Sequence, residues 1–131
     1  MKSEKTELAG LARLADAAFG AEQARMGALR RRESDIRGTI AALDAQRKAR
    51  AASLSDADPA LMAGADMLWH GWIDSRRSAL NLELARNLAD QAAARAALRR
   101  AFGRKQASEE LVNRADASAR LAAGRRSDRG F

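Results

Sequence analysis

Apolar side chains recur every three or four residues along the first part of the chain, and this repeat predicts a long helix with one apolar seam. The seam positions are Leu8, Ala12, Ala15, Phe19, Met26, Leu29, Ile36, Ile40 and Leu43. Positions 22 and 33 fall on the same repeat but hold glutamate. Because seven-residue apolar spacing is typical of a helix that pairs with another helix, we expect a helix over about residues 4–53.

The repeat is interrupted at "ASLSDADPAL", which contains the single proline of the chain. Asp58 can cap a helix whose first residue is Pro59, because the missing amide hydrogen of proline costs nothing at that position. We therefore predict a turn over about residues 54–58, a second helix over about residues 59–123, and a frayed tail at about 124–131. The apolar stripe of the second helix advances closer to 3.6 than to 3.5 residues per turn, which predicts weak supercoiling. Its members are Met62, Trp69, Ile73, Leu80, Leu84, Leu88, Leu98, Phe102 and Val112.

Two long helices joined by a short loop must be antiparallel neighbours. The predicted fold is all-α, a long antiparallel two-helix coiled-coil hairpin formed by residues 1–131 as a single unit. A turn centred near residue 56 places Leu43 opposite Trp69, Leu29 near Leu84, and Leu11 near Phe102. Residues beyond about 111 then have no partner in the first helix. We expect them to form an overhanging C-terminal helix.

The composition limits the kind of core and the chemistry that the chain can have. Of 131 residues, 33 are alanine, five are aromatic and none is cysteine. Alanine favours helix but contributes little buried area, so we expect a thin helical molecule. Without cysteine, disulfides and zinc–thiolate sites are excluded. No apolar run approaches the roughly 20 residues that a membrane span needs, and we expect a soluble, cytoplasmic protein.

The charge distribution is uneven along the chain. The net charge is +7, with 11 basic and 7 acidic residues in 1–54, 3 and 6 in 55–94, and 10 and 4 in 95–131. In an antiparallel hairpin, the two basic segments meet at the end that carries the termini. The sequence therefore predicts a basic open end and a mildly acidic tip at the loop.

The stretch "LWHGW" holds both tryptophans and the only histidine. Asp66, His70 and Asp74 share a helix face, but one imidazole with two carboxylates is a weak set of metal ligands, and we interpret them as a solvated polar stripe. For Trp69 and Trp72, two interpretations remain open. One tryptophan can pack on Leu43 or Ile40 and hold the tip closed, and an exposed tryptophan can bind a partner protein.

The sequence gives little support for an enzyme. It has no cysteine nucleophile and no phosphate-binding glycine loop, and a two-helix protein offers little room for a pocket. We expect no cofactor, no metal and no small-molecule substrate. Clustered basic residues leave a nucleic-acid partner as a weaker alternative, since they could neutralise several phosphates. These residues are Arg30, Arg31, Arg32, Arg99, Arg100, Arg104 and Lys105.

Three segments resemble the stalk proteins of the flagellar type III export apparatus, FliJ, and their injectisome counterparts, YscO. "MGALRRRESDIRGTIAALDAQRKARAASL" is similar to the family's charged first helix, and "LWHGWIDSRRSALNLELA" to the aromatic start of its second helix. "FGRKQASEELVNRADASARLAAGRR" is similar to its basic end. The family's tip often carries tyrosines on both helices, whereas this chain has none.

The resemblance implies a non-enzymatic stalk or adaptor of a flagellar or related type III export apparatus. It implies that the open end enters a hexameric export ATPase, and that the protein also contacts the export gate protein and substrate chaperones. The location implied is cytoplasmic, with peripheral attachment to the inner membrane through these partners only. The residues that we assign to partner binding are Trp69, Trp72, Leu43, Arg104, Arg114 and Arg120. A general basic coiled-coil scaffold or nucleic-acid-binding protein is the alternative function.

Overall fold

The protein is all-helical and consists of two helices packed against each other. The structure is a computed structural model, and it describes residues 2–53 and 59–130. Helix α1 spans Lys2–Ala52 and helix α2 spans Pro59–Arg129. The residues described contain no strand. None of the helices described is long and apolar enough to cross a membrane.

Local hydrogen bonds account for the helix ends that the structure describes. At the end of α1, the Ser53 amide donates to the carbonyls of Ala49 and Arg50, at 3.1 and 3.2 Å. Helix α2 continues to Arg129, past the predicted end near residue 123, and the Gly130 amide donates to the Arg126 carbonyl at 2.9 Å. The segment after residue 123 holds no proline, and a single glycine costs a helix only about 1 kcal/mol. The predicted turn over residues 54–58 lies outside the described residues.

The packing divides the chain into two compact units. One unit comprises residues 27–92, and we call it the middle unit. The other comprises the described parts of residues 1–26 and 93–131, and we call it the terminal unit. Each unit contains one segment of α1 and one segment of α2.

The core of the middle unit is a short row of aliphatic side chains from both helices. Ile36 and Leu43 of α1 pack with Ile73 and Leu80 of α2, and Ile36 and Ile73 are almost completely buried. Three partly buried side chains pack against this row, namely Ile40, Trp69 and Leu84. Ion pairs flank it, including Arg32–Glu83 at 2.7 Å and Arg77–Asp44 at 3.3 Å.

A polar layer interrupts the apolar row of the middle unit. Asn87 and Gln91 are buried, with 6% and 2% of their surface exposed. The side-chain amide of Asn87 donates to the backbone carbonyl of Leu29 at 3.0 Å. The amide of Gln91 donates to a carboxylate oxygen of Glu33 and to the side-chain carbonyl of Asn87, both at 2.7 Å. Each of these buried amides therefore has partners, as burial requires.

The terminal unit has smaller side chains in its core. Met26, Ala94, Ala101 and Ser108 are buried. Phe19 and Phe102 lie with their ring centroids 5.5 Å apart. Around them, Lys105 lies 5.2 Å above the ring of Phe19 and reaches Asp16 at 3.5 Å. Lys5 pairs with Asp116 at 2.9 Å.

Burial confirms the predicted seam of α1 and changes the seam of α2. Each predicted seam position of α1, including residues 22 and 33, is buried or half-buried. Among the described residues of α2, six buried residues recur every seven positions and Gln91 is buried beside them, whereas the predicted members Leu88 and Phe102 are 40% and 43% exposed. The six recurring residues are Ile73, Leu80, Asn87, Ala94, Ala101 and Ser108. Seven of the nine members of the predicted stripe are buried or half-buried, but its advance of 3.6 residues per turn fails at Leu88 and Phe102, because small and polar residues occupy four of these six positions.

The predicted register between the helices also needs correction. Within each unit, residues later in α2 pair with residues earlier in α1. The paired segments therefore run in opposite directions. Phe102 contacts Phe19 and not Leu11, and Asp116 has a partner in α1 although it lies beyond residue 111. The predicted register assumed that paired residues lie equally far in sequence from the centre of the turn. Instead, Arg50 near the end of α1 pairs with Asp66, in the second turn of α2.

The seam glutamate of the terminal unit generates a stability prediction. Glu22 is half-buried, and its Oε2 atom is enclosed without a hydrogen-bond partner. Because an unsatisfied buried polar atom costs about 1–3 kcal/mol, Glu22→Leu should raise the free energy of unfolding by about 1 kcal/mol or more. Urea unfolding followed by circular dichroism measures the change. The control is Glu7→Leu on the exposed surface of α1, which should change stability by less than about 0.5 kcal/mol. A loss of stability in Glu22→Leu would contradict this interpretation.

Candidate interaction surfaces

Trp69 and Trp72 occupy different environments in the middle unit. Trp69 is half-buried and packs against the core cluster that contains Leu43 and Ile73. The guanidinium carbon of Arg50 lies 4.6 Å from the centre of a Trp69 ring, in a cation–π contact. Trp72 is 56% exposed. Three residues turn a helix by about 300°, which leaves the two side chains about 60° apart, so both cannot lie at the centre of one narrow seam.

Ion pairs account for the polar residues around Trp69. Asp66 accepts from Arg50 at 3.0 Å and lies 3.2 Å from the Nε2 atom of His70. The imidazole meets the Trp69 ring edge to face, with centroids 5.2 Å apart. Asp74 instead pairs with Arg47. Across the part of the chain that the structure describes, no three His, Cys, Asp or Glu side chains are grouped as metal ligands.

Leu43, which we assigned to partner binding, lies in the core. Only 5% of its surface is exposed. It can therefore influence a partner only through the side chains that it supports, chiefly Trp69.

Besides Trp72, three large apolar side chains of the middle unit are more than half exposed on α2. Met67, Leu68 and Leu82 are 75%, 79% and 53% exposed. These three residues lie outside the predicted stripe of α2, because that stripe contains the residues expected to face α1. Leu68 and Leu82 belong to a second seven-residue repeat on the opposite side of the same helix, and that repeat is the signal that would have found them. We call residues 64–82 on this side the outer face of α2.

The arginines that we assigned to the basic end lie on the surface of the terminal unit. Arg104, Arg114 and Arg120 are exposed, and Arg114 pairs with Glu110 at 2.7 Å. At about 100° per residue, Arg114 lies about 80° and Arg120 about 160° from Arg104 around the helix axis. The three guanidinium groups therefore point in different directions. Further exposed arginines accompany them, namely Arg95, Arg99, Arg100, Arg125, Arg126 and Arg129.

The charged groups beside the groove of the middle unit are already paired. This groove has a volume of about 280 Å³ and is lined by Arg37, Ile40, Ala41, Asp44, Asn81 and Leu84. Arg37 pairs with Glu33 at 2.8 Å, and Asp44 pairs with Arg77. The groove is thus a gap between helix side chains, and its lining gives no sign of an acid–base pair prepared for a substrate.

Comparison with known proteins gives no match to a family model, a curated protein or a solved structure. The function must therefore be argued from the surfaces of the chain itself.

Single substitutions of Trp69, Trp72 and His70 distinguish a side chain that packs in the core from one that lies on the surface. Trp69→Ala should lower the free energy of unfolding by about 2–3 kcal/mol, less than for a fully buried tryptophan. Trp72→Ala should change it by less than about 0.5 kcal/mol because its ring is mostly in solvent. His70→Ala should have a similarly small effect, since exposed ion pairs contribute little. Chemical unfolding of the three variants measures the differences. Equal losses for Trp69→Ala and Trp72→Ala would refute the assignment of Trp69 as the anchor.

Proposed function

We propose that this chain is a non-enzymatic stalk or adaptor of a flagellar or related type III protein export apparatus. In this proposal its basic end inserts into a hexameric export ATPase. Other surfaces connect it to the export gate protein and to substrate chaperones. The protein acts in the cytoplasm and reaches the inner membrane only through these partners.

The observation that carries the proposal is the distribution of exposed arginines around the C-terminal part of α2. Arg104, Arg114 and Arg120 lie on different sides of the helix. A flat partner can contact only one side of a helix, whereas a ring-shaped partner surrounds it. Arginines on several sides therefore suit a helix that enters a pore lined by acidic or polar groups.

The helix pairing of the terminal unit supports an overhanging end. Lys5 pairs with Asp116, Asp16 with Lys105, and Phe19 contacts Phe102. In each of these pairs the residue numbers add up to 121. In the same register Lys2 faces a position near 119, so we propose that the end of α2, from about residue 120 to Arg129, has no counterpart in α1. That end is the segment proposed to enter the ATPase.

The spacing of buried residues supports a coiled-coil hairpin as the body of the stalk. Burial repeats every seven residues on both helices, as in coiled-coil seams. A seven-residue repeat corresponds to 3.5 residues per turn, which keeps two seams in contact over many turns. A long paired helix is a suitable element for transmitting force or position between two partners.

The outer face of α2 is the proposed contact for the export gate protein. Trp72 is exposed, with Leu68 next to it on the helix surface. Exposed tryptophan is enriched among residues that dominate binding energy. Trp69 and Leu43 serve this contact indirectly, by holding the helix in place.

The experiment that tests the proposal removes the overhanging segment. Deletion of residues 120–131 should abolish both binding to a purified flagellar-type export ATPase and stimulation of ATP hydrolysis. The paired parts of both helices should remain folded, because the contact between Lys5 and Asp116 is retained. Binding and ATP hydrolysis are measured across a salt series, with circular dichroism as the check on folding.

A matched control distinguishes the loss of the overhanging segment from the loss of its positive charge. The deletion removes Arg120, Arg125, Arg126, Arg129 and Asp128, a net loss of three positive charges. The control, Arg30→Ala with Arg31→Ala and Arg76→Ala, also removes three positive charges, from exposed positions elsewhere. The control should keep ATPase stimulation. Unchanged stimulation by the deletion variant contradicts the stalk mechanism.

The same salt series tests the alternative of nucleic-acid binding. Binding to phosphates depends on the number of cationic contacts, and its affinity falls log-linearly with salt. If the protein binds DNA or RNA, the deletion and the control should weaken binding by similar factors. Tight, salt-sensitive nucleic-acid binding without ATPase stimulation would favour that alternative.

A further inference from the structure

The outer face of α2 carries a second seven-residue repeat, on the side opposite its pairing seam. Gly64, Gly71 and Ser78 are seven residues apart, and so are Leu68, Ser75 and Leu82. All six residues are exposed. At about 100° per residue, they lie within about 40° of one line on the helix surface, directly opposite the buried Ile73. Alternating steps of four and three residues are the spacing with which one helix packs along another.

The space over this repeat is open in the single chain. A methyl group added at Gly64 or Gly71 would meet no atom of the chain within 4 Å. Small residues at such positions allow another backbone to approach closely. The outer face therefore has the surface of a helix-packing site without a packing partner in its own chain.

We propose that a second copy of this chain docks on the outer face of α2 in antiparallel orientation, forming a weak homodimer in the free protein that the proposed gate protein displaces when it binds the same face. The arrangement of large and small residues carries this choice. A two-fold axis near residue 73 places Gly64 against Leu82 of the second copy and Leu68 against Ser78 of the second copy. Each leucine then meets a small residue, which allows interdigitated packing. A parallel arrangement would place leucine on leucine and glycine on glycine.

The outer face is uncharged, which also fits a second copy. None of the six residues of the repeat carries a charge. Asp66, Asp74 and Arg77 of the same segment pair instead with Arg50, Arg47 and Asp44 of α1. Two chains of charge +7 repel each other elsewhere, but this surface adds no net repulsion. A strongly charged partner would find no opposite charge there.

The size of the surface predicts the strength of the dimer. The outer face covers about five helical turns. Two single-helix surfaces of this length form a contact at the small end of the range for specific complexes. We expect a dissociation constant in the micromolar range or weaker. In the dimer, Trp72 lies beside the two-fold axis and is shielded from water by Trp72 of the second copy.

Sedimentation equilibrium of the full chain alone tests the proposal, so its failure leaves the proposed export function untouched. Over about 1 µM to 1 mM protein, the native chain should shift from monomer to dimer, and Trp72 fluorescence should move to shorter wavelength with it. Leu68→Glu with Leu82→Glu should weaken dimerisation at least about tenfold, because it buries charges without partners. The matched control is Leu14→Glu with Leu121→Glu, at positions 70% and 64% exposed, and it should dimerise like the native chain.

Cysteine cross-linking tests the orientation independently, and the native chain has no cysteine to interfere. Ala65 and Ala79 are exposed beside the repeat and lie eight residues before and six residues after the proposed axis at residue 73. A mixture of Ala65→Cys and Ala79→Cys chains should form mixed disulfides much faster than either variant links to itself. Preferential self-linkage would overturn the antiparallel arrangement. A native chain that stays monomeric at the highest concentration, or equal weakening by both double variants, would overturn the dimer.

Discussion

The structure depends on the side-by-side burial of two narrow seams, one on each helix. The seam residues with large apolar side chains are few, and Ile36 and Ile73 are the largest fully buried ones. Elsewhere alanine and serine fill the contact, and they contribute little burial free energy. Ion pairs along the edges add at most about 1 kcal/mol each where they are exposed. Correct alignment of the seams therefore decides whether the helices stay paired.

The polar layer of the middle unit gives that alignment its specificity. A seam made only of alanine, leucine and isoleucine could slide by seven residues at small cost. Sliding would separate Asn87 from the Leu29 carbonyl and Gln91 from Glu33. Each buried group left without a partner would cost about 1–3 kcal/mol. The polar residues lower the apolar content of the seam, but they favour one register over its neighbours.

The sequence predicted the α1 seam because leucine, isoleucine and phenylalanine mark it at regular spacing. It did not predict the α2 seam fully, since Asn87, Gln91, Ala94, Ala101 and Ser108 do not look like core residues. They are buried because side chains of α1 face them. The pattern of α2 alone does not show which residues of α1 lie opposite. For the same reason the register was misplaced, and Phe102 was assigned to Leu11 instead of Phe19.

The sequence also predicted part of the candidate interaction surfaces. Spacing alone showed that Trp69 and Trp72 cannot both lie at the centre of one narrow seam, but only the packing shows that Trp69 is the one that packs against the core. The exposed arginines were recognisable from charge clustering, whereas their distribution around α2 follows from its continuous helical geometry. The second repeat, from Gly64 to Leu82, was visible in the sequence. It becomes meaningful once Ile73 is known to face the opposite way.

The most direct test of this account measures which residue of α1 faces Phe102. A short bifunctional thiol reagent is applied to Phe19→Cys with Phe102→Cys, and separately to Leu11→Cys with Phe102→Cys, at protein concentrations that keep the chain monomeric. Positions 11 and 19 are about 12 Å apart along a helix, so the reagent distinguishes them. The account predicts rapid intramolecular cross-linking of the pair at 19 and 102 and little at 11 and 102. Equal cross-linking of both pairs, or preference for the pair at 11 and 102, would contradict the register that the contact between Phe19 and Phe102 defines in the terminal unit.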